Sequence, residues 1–271
     1  MGRFLNTEVF NWHEEGIPYL SFAMLDELGY GNLYTTRYND IRVALMKDDD
    51  PEEAIPVLKE NLSRLAISLG ADPAKLRTTR QLHTANVVVM DKDDLGLERS
   101  FDNLDPIDGM VTNVPGAGLI VFGADCPSIY IVDPIHHAIG LVHAGWRGTL
   151  GKIPKNAIEL MQQSYGSDPA EMFAAIGPSI CADCYEMGDE VFDVFADSWG
   201  EDDAVRLMQR RSSGKYHLDL WLANRLTLER CGIPSTNIAV TDLCTCCHSD
   251  HFYSYRAHRM ENEQCAILIN K

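Results

Sequence analysis

Four short apolar runs break up the middle of the chain, at 87–91, 118–124, 128–133 and 138–143. Each has the length and residue types of a buried strand. Asp133-Pro134 separates the last two and predicts an antiparallel hairpin. Upstream, Asp50-Pro51-Glu52-Glu53 supplies a cap, a first-turn proline and a capping-box acid. Ile55, Leu58, Leu62, Leu65 and Leu69 then recur at helical spacing until Gly70 stops the helix. A second helix is predicted over Ile153–Tyr165, with Ile153, Ala157, Leu160 and Met161 on one face and Pro154 in its first turn. A strand at 172–176 and helices at 189–198 and 218–230 follow. The last helix groups Leu218, Trp221, Leu222 and Leu226 and ends at Gly232. Strands at 238–240 and 265–269 complete the pattern. Without a linker, repeat or composition shift, the reading is an α+β fold. One domain of mixed helices and sheets spans 1–271.

Charge narrows the partners. Forty acidic residues against 23 basic ones give a net charge of −17. A bulk nucleic-acid partner is excluded, because phosphate neutralisation needs a basic surface. A small anionic substrate held by local arginines is not. No apolar stretch reaches the roughly 18 residues that span a bilayer. The N-terminal MGRFLNTEVFNWHEEG lacks the cationic and apolar order of a signal peptide. The expectation is a soluble cytoplasmic protein, its oligomeric state left open. The eight cysteines are therefore read as reduced. Cys181 and Cys184 form a C-x-x-C, and Cys244-Thr245-Cys246-Cys247-His248 is dense. Two distant knuckles of this kind could build a structural zinc site. The second group is read as lacking the usual C-x-x-C spacing, so buried small side chains are the preferred alternative.

The candidate chemistry centres on Gly118–Gly148. Cys126 follows one apolar run and His143 another, so both are expected at strand ends. His83, in Arg80-Gln81-Leu82-His83, precedes the strand-like 86–90 segment. A thiolate and imidazoles on rigid elements suit either a transition-metal site or a Cys–His nucleophile pair. The separations have no helical meaning, so the three residues can meet only through tertiary structure. Three protein ligands would leave a fourth position open, as in catalytic zinc sites. Arg147 could clamp a phosphate or carboxylate through its planar fork, against the alternative of a surface salt bridge. Arg37 and Arg256 are weaker candidates of the same kind. Trp146 could stack on a planar ligand or simply pack, and Cys244 could line the pocket or simply be buried. Asp125 either transfers protons or holds a loop, turned away from Cys126. His136 and His137 read as solvated turn residues.

Several segments, in order, resemble the laccase-domain family, also called the polyphenol oxidase or purine nucleoside phosphorylase type. They are Arg80-Gln81-Leu82-His83, Gly123-Ala124-Asp125-Cys126-Pro127, His143-Ala144-Gly145-Trp146-Arg147-Gly148, Ile176-Gly177-Pro178-Ser179-Ile180, Cys184-Tyr185-Glu186, His217-Leu218-Asp219-Leu220, Asp242-Leu243-Cys244-Thr245 and Tyr253-Ser254-Tyr255-Arg256. The resemblance implies two packed sheets with helices outside, and a zinc site made of His83, Cys126 and His143. It also implies phosphorolysis of adenosine, inosine, guanosine or methylthioadenosine, and deamination of adenosine. Purine nucleoside and phosphate would then be the partners, and Cys126, His83, His143 and Arg147 the catalytic group. Copper-dependent oxidation of phenols is the alternative metal chemistry. Against it, no motif places an axial Met or a second His-rich cluster. A Cys–His amide hydrolase acting in peptidoglycan precursor editing is a further alternative, with Cys126 as nucleophile. A metal-binding interaction protein without catalysis is the non-enzymatic one. The chain departs from the family at Tyr38-Asn39-Asp40-Ile41, at Thr84 in place of Gly, and at Ala257-His258-Arg259-Met260-Glu261.

Overall fold

The computed structural model describes residues 8–39, 41–45, 49–100, 105–212, 214–259 and 262–271. Asp40, Met260 and Glu261, in two of the divergent loops, lie outside them. Two six-stranded mixed sheets form the centre. The first runs Phe10–His13, Tyr19–Phe22, Gly31–Thr35, Gln264–Ile269, Gly118–Gly123, Leu76–Arg77, with only the last pair parallel. The second runs Ile238–Val240, Phe173–Ile176, Ser128–Asp133, Ala138–His143, Gly109–Thr112, Val87–Val89, parallel at both outer pairs.

The apolar runs lack polar alternation because both faces of these strands are covered. Leu119 and Val121 of the first sheet share a buried cluster with Tyr130, Val132, Ile139 and Leu141 of the second. The intervening Ile120 faces the other way, into a cluster with Leu62 and Leu65 of the helix Pro51–Ser68. Ile129, Ile131 and Val142 face Ala157, Ile158 and Met161 of the helix Ile153–Tyr165. The order is thus helix, sheet, sheet, helix. A lobe around a three-stranded sheet, Glu186–Met187, Tyr216–Leu218 and Met208–Arg210, has its own buried cluster.

The expected elements recur closely, and the departures have local causes. Asp50 caps its helix, accepting from Glu52 N at 2.9 Å. The Asp133 turn closes the expected hairpin, with Oδ1 accepting from Ile135 N and His136 N. Leu218, expected in a helix, is instead the last residue of a strand. Asp219 accepts from Leu222 N and starts the helix at Leu220. No periodic signal announced the N-terminal strands, which are four residues each and interrupted by the polar Asn11 and Ser21.

The two sheets are joined by crossings that carry the candidate chemistry. The loop holding His83 leads from Leu76–Arg77 in the first sheet to Val87–Val89 in the second. The turn holding Cys126 leads from Gly118–Gly123 in the first to Ser128–Asp133 in the second.

Candidate metal centre

His143 is the last residue of its strand, as expected. Cys126 and His83 are not on strands: the chain must turn sharply to change sheets, and both sit in those turns. Asp125, just before Cys126, has φ 95°, and His83 itself has φ 60°. Such left-handed backbone is unfavourable for residues with a Cβ and persists where surrounding bonds impose it.

Asp108 imposes it at His83. This buried carboxylate accepts from His83 N at 2.9 Å and, through its other oxygen, from Leu82 N at 3.2 Å and Thr84 N at 2.8 Å. The Thr84 hydroxyl donates to it as well, at 2.7 Å. Thr84 therefore serves the same anchor. Asp108 also receives His143 Nδ1 at 2.8 Å, which turns Nε2 of that ring toward Cys126. Burial alone would raise the Asp108 pKa. The bonds from His143 and Thr84 overcome that and hold it below the ordinary carboxylate value.

The donor atoms of His83, Cys126 and His143 lie within 4.8 Å of one another, and Cys126 Sγ is 3.8 Å from His83 Nε2. The two rings meet edge-on, with centroids 4.9 Å apart. Burial pushes the Cys126 thiol up, but its charge interaction and hydrogen bond with His143, then those with His83, bring it down to about 7. Burial pushes His143 down, but the Cys126 thiolate and then Asp108 carry it up to about 10. Gly145 completes the cradle. A Cβ there would stand 2.7 Å from His83 Cδ2 and 3.0 Å from Cys126 Sγ. Two imidazoles, a thiolate and a carboxylate behind one imidazole match the donor chemistry of a transition-metal site.

The three side chains line a cavity of about 800 Å³. Arg147, Arg256, Tyr185 and Glu263 line it too. Arg147 lies over the Trp146 ring, 4.3 Å from its centroid, so Trp146 both packs and supports the guanidinium. Arg37 is not among the lining residues; it donates to Ser249 O and lies over Tyr253. Asp125 turns away from the ligands, accepting from Thr245 Oγ1 at 2.6 Å and Arg256 N at 2.7 Å, which makes it a loop anchor. His136 and His137 are exposed in the hairpin turn, and His136 pairs with Asp133. Cys244 is buried outside the cavity lining. Sequence reasoning missed Asp108 and Glu263. Burial raises the Glu263 pKa against the opposing pull of His143 and then His83. Both acids flank apolar strands without any spacing that links them to the ligands.

The fold and site define a layered α+β protein with an open His–Cys–His centre at the sheet crossings. The chain belongs to the family described as multi-copper polyphenol oxidoreductase laccase, whose model matches residues 30–270. It is 37% identical over 208 residues to adenosine deaminase RL5 from an unknown prokaryotic organism, covering 76% of this chain and 78% of that protein. It is 33% identical over 236 residues to purine nucleoside phosphorylase YlmD of Geobacillus stearothermophilus, covering 86% and 84%. The crystal structure of YlmD from that organism superposes with a TM-score of 0.84 at 29% identity, covering 98% of this chain and 100% of that one. Among the described residues no helix is long and apolar enough to cross a membrane.

Proposed function

We propose that residues 1–271 form one cytoplasmic catalytic domain, a zinc-dependent purine nucleoside enzyme. Its reactions would be deamination of adenosine and phosphorolysis of adenosine, inosine, guanosine and methylthioadenosine. The observation that carries the reading is the convergence of His83, Cys126 and His143 on a cavity that also holds Arg147 and Glu263. The names of the relatives, a deaminase and phosphorylases, support the substrate class.

His83, Cys126 and His143 would hold the ion, and Asp108 fixes the ring orientation of His143. When bound, zinc supplies a Lewis acid that makes water nucleophilic at neutral pH. The remaining work falls to the chain. In deamination, water adds at C6 of the purine and ammonia leaves, which requires a proton donor. Glu263, held protonated more readily by burial, is the residue of the cavity suited to donate it. In phosphorolysis, phosphate attacks the anomeric carbon and the base departs. Arg147 offers the planar fork that holds phosphate, stiffened by the Trp146 ring beneath it.

One observation favours a second reading. Asp108, His143 and Cys126 also stand in acid–base–nucleophile order, the arrangement of a Cys–His hydrolase. One experiment separates the readings. Purified protein and Cys126→Ala are assayed for bound zinc and copper. Each is then given adenosine and inosine, with and without phosphate, and products are resolved by chromatography. The expected result is zinc at the centre of the wild type, inosine from adenosine, and phosphate-dependent hypoxanthine from inosine. All of these should be lost in Cys126→Ala. Stoichiometric copper after zinc-supplemented expression would overturn the metal. Zinc-loaded wild type that turns over no purine nucleoside would overturn the substrate and favour the amide hydrolase.

A further inference from the structure

A second cluster of soft ligands lies outside the proposed catalytic centre. The Sγ atoms of Cys181, Cys184, Cys244 and Cys247 all lie within 4.8 Å of one another, with Cys184 and Cys247 at 3.4 Å. The structure corrects the sequence reading of the second cysteine group. Cys244 and Cys247 are themselves a C-x-x-C, hidden in the sequence by Cys246 between them. Two C-x-x-C hooks therefore face each other across the fold.

We propose that these four thiols form a structural zinc site, separate from the His83–Cys126–His143 centre. Four observations converge on it. First, zinc with sulfur ligands at about 2.3 Å requires sulfurs roughly 3.8 Å apart at the corners of a tetrahedron, and the cluster needs only small adjustments to reach that. Second, the backbone N–H groups of Cys181 and Cys247 donate to Cys244 Sγ at 3.2 and 3.3 Å. Amide donors aimed at a sulfur favour its thiolate, the form that binds metal. Third, the hooks are docked by backbone bonds independent of the thiols: Ser179 N to Leu243 O and Thr245 N to Ser179 O, both 3.1 Å. The ligands are thus brought together before any ion arrives. Fourth, all four donors are thiols, which select zinc over harder divalent cations.

Binding deprotonates the thiols, releases their protons to solvent and changes no oxidation state. The site would act as a staple for one wall of the cavity. Arg256 donates to Cys184 O and Glu186 O, both at 3.2 Å, and Thr245 beside Cys244 donates to Asp125 next to Cys126. An ion joining the two hooks would hold Tyr185 and Arg256 in place on that wall.

Elemental analysis of protein purified under reducing, chelator-free conditions tests this. The wild type should carry two zinc ions per chain. Cys126→Ala, which leaves the cluster intact, should carry one. The double variant Cys126→Ala, Cys247→Ser should carry none. Cobalt(II) exchanged into Cys126→Ala should give the intense near-ultraviolet charge-transfer absorption of several thiolate ligands, and protease should cut the wall at 181–187 faster once the ion is removed. Three results on Cys126→Ala would each overturn the proposal, and none depends on a cluster variant folding. They are no bound zinc with all four thiols freely alkylated, a Cys184–Cys247 disulfide in peptide mapping, or iron in place of zinc.

Discussion

The smallest residue at the centre sets a firm condition on it. Gly145 is there because three ligands crowd the space where a Cβ would stand, at 2.7 Å from one ring and 3.0 Å from the sulfur. Gly145→Ala should therefore spread the ligands while leaving the sheets intact. Zinc at this centre should bind at least tenfold more weakly by competition with a chelator, with an unchanged far-ultraviolet circular dichroism spectrum. Asp108 acts one bond further out. Asp108→Asn keeps the shape but removes the charge behind His143 and turns one of the two oxygens that accept from the loop amides and His143 into a donor. Metal affinity is expected to fall about 10–100-fold, the usual cost of losing such a partner. Arg147 distinguishes the two reactions. Arg147→Gln should slow phosphate-dependent release of hypoxanthine from inosine by tenfold or more, while conversion of adenosine to inosine, which uses no phosphate, survives better. Equal loss of both would assign Arg147 to the architecture of the site instead.

At the level of elements, stability and site chemistry are largely separable. The helix Pro51–Ser68 covers the outer face of the first sheet and supplies no cavity residue. Leu62, fully buried there against Ile120 and Ile267, is a test of that separation. Leu62→Ala should lower unfolding free energy by about 2–5 kcal/mol through lost burial and the cavity left behind. Zinc content of the protein that remains folded should not change. A loss of zinc alongside the stability would show that the outer helix and the sheet crossings are coupled. These elements were the easily read part of the sequence. Helical spacing from Ile55 to Leu69 and capping by Asp50 are local signals, and so are the continuous apolar runs at 118–124, 128–133 and 138–143. The boundary at Leu218 was misplaced because an apolar residue ending a strand looks the same as one opening a helix. Only the Asp219 cap separates them.

Across the whole molecule, metal and protons are linked. Zinc takes Cys126 as a thiolate and His143 as a neutral imidazole. In the metal-free protein Cys126 loses its proton around pH 7, while His143 keeps its own until about pH 10. Between those values, zinc has only the proton of His143 to displace, so log affinity should rise by about one per pH unit. Below pH 7 Cys126 must also give up a proton, and the slope should steepen further. Calorimetric titration of metal-free protein in buffers of different ionisation enthalpy counts those protons directly, with the four-thiol cluster blocked by alkylation or already loaded. A flat pH profile would mean that Cys126 is already a thiolate and His143 already a neutral imidazole before zinc arrives. By itself, the sequence determined the longer helices and the apolar central strands, because their signals repeat within a few residues, and it marked His83, Cys126 and His143 through motifs. Only tertiary structure decided that the ligands sit in the crossings between two sheets, and that Asp108 anchors two of them. It alone decided that Gly145 leaves room for their approach, that Glu263 faces them, and that two cysteine hooks 63 residues apart meet. Each of these depends on segments remote in the chain converging in space, and chain separation carries no periodic trace of that.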